Sequence, residues 1–222
     1  MYLDKIIKDE INYVNIITIL NLPHKMLLNT KDYFLIYFPE SDIYYAGCDP
    51  QSGKEEELCN KIKELNYKVL TTSNEKISKK LNSKFAKGYL QYVYRGEIIK
   101  ESDSKLIVLK DEDFDYVQET YHKGEYMKRL HKSKKIWGYY ENDILIGHTT
   151  EKFDGSTGGL FVKPEFRNKG YGTLLLKEGG FSKAKDYARF SQVDFENIAS
   201  IKAHDKLNCI KCDVTIYWNS NK

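Results

Sequence analysis

Long apolar runs are missing from this chain of 222 residues. The longest candidate, Ile16 to Leu22, is broken by Thr18 and Asn21, far short of the roughly 20 apolar residues that span a bilayer as a helix. No signal-peptide layout stands at the start, because charges interrupt it from Asp4 onward. The expectation is a cytoplasmic protein with no membrane partner. A strong excess of one charge is missing too. The formal net charge of +3 at pH 7 gives no sign of the clustered basic face that nucleic-acid binding needs, so no nucleic-acid partner is expected.

Metal-binding patterns are equally scarce. Of the four cysteines, Cys48, Cys59, Cys209 and Cys212, only the last two form a C-x-x-C pair, and a structural zinc site usually needs four ligands. His24, His122, His131 and His148 show no H-x-x-x-H spacing, so no metal is expected, and the thiols are read as reduced packing residues. Gly47 to Lys54 imitates a phosphate loop. Five residues separate Gly47 from Gly53 where the motif has four, and Glu55 stands where a magnesium-binding Ser or Thr belongs. The four prolines all fall at expected element ends or in loops, at Pro23, Pro39, Pro50 and Pro164.

What remains is an ordinary globular balance, 41% hydrophobic and 30% charged. The wealth of Lys, Ile, Asn and Tyr suits an AT-rich bacterial genome. The length suits one large domain or two small ones. Ile7, Ile11, Val14 and Ile17 recur at helical spacing. Tyr33 to Phe38 and Asp42 to Ala46 read as strands, Lys54 to Leu65 as a helix with Leu58, Ile62 and Leu65 on one face, and Tyr67 to Thr71 as a strand. Ser73 is placed to cap a helix holding Ile77 and Leu81, and Tyr89 to Tyr94 alternates as a strand. Beyond Ser102 come a strand at Leu106 to Leu109, a helix from Asp113 to about Lys123 and a short helix over Tyr126 to Leu130. A hairpin follows, Trp137 to Tyr140 and Ile144 to Thr149, turning at Glu141-Asn142-Asp143. Then come a strand at Thr157 to Val162, a helix from Gly170 to Tyr187 with a kink at Gly179-Gly180, a strand at Arg189 to Phe195, a helix at Asn197 to Leu207 and a strand at Val214 to Trp218. The class is mixed α/β, an α+β arrangement around a mixed sheet. Residues 42–94 and 157–218 repeat one order of elements, which suggests duplication. Tyrosine clusters at Tyr44-Tyr45, Tyr92 and Tyr94, and Tyr139-Tyr140 read as strand packing, with an aromatic acceptor cleft as the alternative.

The chemistry is concentrated between Leu160 and Leu175. A hydrophobic strand runs through Pro164 into Arg167-Asn168-Lys169-Gly170-Tyr171-Gly172 and on into an apolar helix. Free N–H groups at a helix start favour an anion, glycine lets phosphate approach the backbone, and Arg167 and Lys169 add charge. This stretch resembles the R/Q-x-x-G-x-G/A signature of the GNAT superfamily of N-acetyltransferases, in a Val-Lys-Pro setting. The family's second signature is partly matched by Asn197, Ser200 and His204, the last standing where the family has a Tyr. The resemblance covers roughly residues 104–220.

It implies a GNAT-like acyl-CoA-binding fold at 101–222, preceded by a second α/β lobe at 1–100 that shapes the acceptor cleft or is structural. It also implies acetyl-CoA as co-substrate and a primary amine of a small molecule or peptide as acceptor, joined by direct attack in a ternary complex. Leu160, Phe161 and Val162 are expected along the pantetheine, and Arg167, Asn168, Lys169, Gly170, Tyr171, Gly172 and Thr173 around the pyrophosphate. Asn197 and Ser200 should line the cleft. Glu151, with Asp154 beside it, and Glu196 are the candidate bases. His204 is the candidate acid, ahead of Tyr171 and Tyr217. The stretch Tyr121 to Ser133 is expected to shape the acceptor site. A non-catalytic acyl-CoA sensor or interaction module is the alternative, and the assembly is a monomer or a homodimer.

Overall fold

The computed structural model describes residues 1–120 and 124–221. They form two compact units. The first comprises Met1–Gln91, Gln192–Glu196 and the chain from Lys211 onward, and the second Tyr92–Ser191 and Asn197–Ile210. Among the described residues no helix is long and apolar enough to cross a membrane.

In the first unit the strands are β1 (Lys25–Asn29), β2 (Tyr33–Phe38), β3 (Ile43–Cys48), β4 (Val69–Thr72) and β5 (Phe85–Val93). The last strand of the chain, β11 (Ile210–Ser220), lies between β4 and β5, giving the order β1-β2-β3-β4-β11-β5. β2 is antiparallel to β3, and β3 is parallel to β4 from Ile43↔Val69 to Ala46↔Thr72. The β3-to-β4 crossover is helix α3 (Glu55–Glu64), whose Leu58, Cys59 and Ile62 are fully buried against Leu35, Ala46 and Leu70. Each large apolar side chain so covered contributes about 1.5–3 kcal/mol. Helix α4 (Glu75–Leu81) is capped by Asn74, whose Oδ1 accepts from the N–H groups of Lys76 and Ile77. The cap is therefore one residue beyond the Ser73 that the sequence suggested. The apolar periodicity near the N-terminus resolves into two short helices, α1 (Tyr2–Ile6) and α2 (Val14–Leu20). Between them Asp9 accepts from the backbone and side chain of Asn12.

The second unit carries β6 (Leu106–Val108), β7 (Ile136–Glu141), β8 (Ile144–Glu151), β9 (Thr157–Val162) and the start of β10 (Phe190–Asp194), in the order β10-β9-β8-β7-β6. Antiparallel pairing joins β6 to β9 in sequence. The β7–β8 hairpin turns on Asn142 (φ 49°) and Asp143 (φ 62°), the two left-handed residues that a tight hairpin requires. On one face α5 (Phe114–Thr120) and α6 (Glu125–Lys132) bury Val117, Met127 and Leu130 with Ile136 and Leu145. The other face is covered by α7 (Tyr171–Leu175), which widens into a π-helical segment at Leu176–Phe181, and by α8 (Ile198–Lys206). Leu160, Leu176, Phe181, Ala203 and Tyr94 pack there. The helix that the sequence extends to Tyr187 therefore ends at Phe181. The end of the expected Asp113–Lys123 helix and the start of the Tyr121–Ser133 stretch, including His122, lie outside the described residues.

Candidate functional site

The strand that carries the signature is shaped by one glycine. Along β8 and β9, His148 pairs with Phe161 and Thr150 with Gly158, so Thr149 faces two residues, Gly159 and Leu160. This is a bulge. Gly159 sits at φ +58°, and a Cβ there would lie 2.7 Å from Thr150 Cγ2, so only glycine suits it. On its other edge β9 meets β10 in parallel at a single register pair, Ser191↔Thr157. Within the second unit, Leu160 to Val162 have no strand partner on that edge among the described residues.

Past Val162 the chain turns through Pro164–Phe166 into the glycine loop. Asn168 (φ 63°) and Gly170 (φ 90°) adopt left-handed conformations, and Gly170 forms the N-cap of α7. The N–H groups of Thr173 and Leu174 both donate to Gly170 O. Those of residues 168–172 make no hydrogen bond among the described residues. They are the unsatisfied donors of a helix start, next to a basic segment. A Cβ at Gly170 would meet nothing within 4 Å, and one at Gly172 only Val162 Cγ2 at 3.9 Å.

The three cations around this loop point two ways. Lys169 Nζ lies 5.4 Å from the Phe166 ring, which meets Tyr171 edge-on. Arg167, expected beside Lys169, lies over Phe161 at 5.6 Å, its Nε–H donating to Val162 O at 3.1 Å. Lys163 Nζ lies 4.6 Å from the Tyr116 ring. Tyr171 is committed elsewhere: its hydroxyl donates to Glu141 Oε1 at 2.7 Å, and that bond raises its pKa above the ordinary tyrosine value. A free proton donor is not what this geometry makes of it.

The other sequence candidates are placed as follows. His204 is buried beneath Tyr92, 4.7 Å between rings. Its Nδ1 is 2.7 Å from Ser200 O and its Nε2 2.5 Å from Ser191 Oγ. A carbonyl only accepts, so Nδ1 carries the proton and Nε2 takes the serine's. Desolvation lowers its pKa and keeps the ring neutral. His204 therefore offers no free nitrogen to a leaving group. Asn197 caps α8, its Oδ1 accepting from Ser200 N–H at 3.0 Å. Glu151 Oε1 takes Lys135 Nζ at 2.7 Å, with no bond to Oε2 among the described residues. Asp154 is buried in the β8–β9 turn, where Oδ1 accepts the N–H and hydroxyl of Ser156. Glu196 is exposed after β10 and belongs to the first unit, as does Tyr217. No local sequence pattern marks the bulge at Gly159 or the grouping of Tyr116, Phe161, Lys163 and His148. His148 is wholly buried, stacks on Phe161 at 5.6 Å and has its pKa lowered to about 4 by desolvation, against a weaker upward effect of a hydrogen bond with the Gly159 backbone. No group of three or more His, Cys, Asp or Glu among the described residues is placed to hold a metal.

A mixed α/β sheet in which β9 runs through a glycine loop into a helix start with free N–H groups defines the class of fold. Residues 101–208 match the Acetyltransferase (GNAT) family, and they form a domain of that family. Membership of that family makes this domain an acyltransferase. Solved structures share the fold well beyond that domain. A Drosophila protein aligns over 100% of this chain and 87% of its own, with TM-score 0.60 at 14% identity. A GNAT-family acetyltransferase from Colwellia psychrerythraea aligns over 91% and 87%, with TM-score 0.54 at 14% identity. A GCN5-related N-acetyltransferase-like protein from Streptococcus suis aligns over 94% and 92%, with TM-score 0.51 at 12% identity. No curated protein sequence matches.

Proposed function

We propose that the second unit transfers an acetyl group from acetyl-CoA to a primary amine within a ternary complex. The observation that carries this is the glycine loop after β9, where the N–H groups of residues 168–172 make no hydrogen bond among the described residues at the start of α7. The exposed backbone of Leu160, Phe161 and Val162 would take the pantetheine arm as an added strand, and one of its N–H groups would polarise the thioester carbonyl. The N–H groups of residues 168–172, with Lys169, would hold the pyrophosphate. Asn197 and Ser200 serve by fixing the start of α8.

The amine must attack unprotonated, and deprotonating a lysine-like amine at pH 7 costs about 4–5 kcal/mol. Its nitrogen forms the C–N bond as the C–S bond breaks. The amine's proton passes to a base and the CoA sulfur leaves as thiolate. Glu151 is the proposed base, acting through a water on Oε2. With a thiol pKa near 8.5, the thiolate takes its proton from solvent, and His204 is not asked for it. The alternative, an acyl-CoA-binding module without turnover, is favoured by one observation: both His204 nitrogens are engaged.

We propose further that the first unit is a degenerate copy of the same fold. Its β3, α3 and β4 repeat the order of β9, α7 and β10. There the strands stay paired, three glutamates occupy the first turn of α3, and Asp49 and Ser52 fold the preceding loop onto itself. Each feature works against a pyrophosphate, and a structural role follows.

Calorimetry with acetyl-CoA on the wild type and on Gly172→Glu tests the donor site, since this glycine has room for a side chain. Loss of binding by a folded variant supports the site. Equal binding by both proteins sinks it. CoA release with a panel of amines then separates enzyme from sensor.

A further inference from the structure

We propose that Lys152 is an acceptor carried by the chain itself, its Nζ taking the acetyl group from the bound donor. This rests on the acyl-transfer reading of the second unit and adds a modification site to it. The argument begins in the β8–β9 turn. Lys152 N–H donates to Ser156 O, and Gly155 N–H donates to Lys152 O, both at 2.9 Å. Asp154 closes the same turn onto Ser156. The backbone of Lys152 is thereby fixed, and its half-buried side chain folds back over β9. It lies on Gly158, where a Cβ would stand 2.5 Å from Lys152 Cε and 3.2 Å from its Nζ. Gly158 has no positive φ to require glycine. What the missing side chain provides is a bare stretch of strand on which the alkyl stem rests.

Charge does not account for this placement. The neighbouring carboxylate, Glu151, is taken by Lys135, and Lys152 Nζ makes no ion pair among the described residues. Gly158 lies at the start of β9, at the end away from the glycine loop. A donor held by its pyrophosphate at residues 168–172 and laid along Leu160 to Val162 extends its thioester toward that start. Lys163 and Lys169 stand at the loop end, beside Tyr116 and Phe166. Lys152 therefore brings an amine to the thioester side, held there by a contact within the chain.

The step is an N-acylation. The Nζ, protonated at pH 7, first releases a proton to solvent. Its lone pair attacks the thioester carbon, the C–N bond forms and the C–S bond breaks. The nitrogen sheds a second proton, and the CoA thiolate takes up one from solvent to leave as the thiol. Tethering makes the reaction unimolecular in the donor complex, so it needs no affinity for a free amine.

The test incubates the full chain with acetyl-CoA and no added amine, and maps the product by peptide mass spectrometry. Lys152 should be acetylated at least about tenfold faster than any other lysine, at a rate per chain that does not change on diluting the protein under saturating donor. Gly172→Glu, which blocks the donor loop, should abolish this. Gly158→Ala displaces only the far end of the lysine, so it should slow the modification at least about fivefold while keeping the acetyl-CoA dissociation constant, read by calorimetry, within about twofold of wild type. Acetylation spread evenly over the lysines overturns the inference, as does labelling of Lys152 that persists in Gly172→Glu or falls on dilution. So does an unchanged rate in Gly158→Ala. If the wild type fails to bind acetyl-CoA, the donor-site reading falls first and this inference with it. Binding without acetylation of Lys152 overturns the inference alone.

Discussion

His204 shows how a residue type can be legible while its role is not. Its position in the second signature suggested a proton donor, but burial and two hydrogen bonds decide otherwise. Its replacement by alanine leaves a cavity and strips Ser191 of an acceptor. The expected cost is about 2–4 kcal/mol of stability, measured by urea unfolding, while the pH profile of kcat keeps its shape. A shifted acidic limb in that profile would restore the catalytic reading. His148 gives a companion prediction about pH. Its pKa is near 4 in the fold against about 6.5 when unfolded. The unfolded chain therefore binds the proton first as pH falls. The contribution to stability is whole above about pH 6.5 and declines toward pH 4, by about 3 kcal/mol in all. Urea midpoints at pH 7.5, 5.5 and 4.5 should fall in that order, and His148→Gln should flatten the series. His204, also depressed, adds a slope of the same sign. The sequence showed neither burial, because both residues stand in segments of mixed polarity where nothing marks which side faces the core.

At the scale of elements, the sequence was most informative where burial is one-sided. Tyr33–Phe38 and the hairpin at Ile136–Glu151 were readable from aromatic and β-branched runs broken by turn residues. β1 escaped because it is an edge strand, mostly exposed, whose Lys-Met-Leu-Leu-Asn carries no alternation. The kink expected at Gly179-Gly180 has a physical counterpart in the π segment. Both glycines are there for lack of room: a Cβ on Gly180 would lie 2.3 Å from Thr157 Cγ2, and one on Gly179 2.5 Å from Thr149 Cγ2. The wide turn thereby presses backbone against β8 and against the first residue of β9, where β9 and β10 meet. Gly180→Ala should cost about 1–3 kcal/mol by overpacking. Thr157→Ser removes the clashing methyl, so the double variant should recover most of that loss. The coupling is read from a double-mutant cycle in urea. Simple additivity of the two changes would mean that the contact does not fix the helix against the strand.

For the whole molecule, the main departure from a sequential reading is the last strand. The sequence marks a closing strand at Val214 to Trp218 but carries no sign of its neighbours, since pairing partners are set by topology and not by local pattern. The strand completes the first unit's sheet: Tyr217 pairs with Thr72 and Ser220 with Val69. Ile216 is buried, Ser78 Oγ donates to Asn219 Oδ1 at 2.8 Å, and Trp218 Nε1 donates to Gln192 Oε1 at 2.6 Å. A chain ending at Ile210 would expose the facing edge of β4, strip Ser78 and Gln192 of these partners and open the unit's interior. The expectation is loss of the cooperative fold of the first unit, seen as diminished far-UV circular dichroism and rapid proteolysis between residues 1 and 91. Residues 1–91 expressed alone lack the same strand and should fail in the same way. If that fragment instead unfolds cooperatively on its own, the last strand is an accessory and the first unit is a domain in its own right. If supplying a peptide of residues 210–221 restores protease resistance to the truncated chain, the strand acts through its pairing in the sheet, which is what its register with β4 predicts.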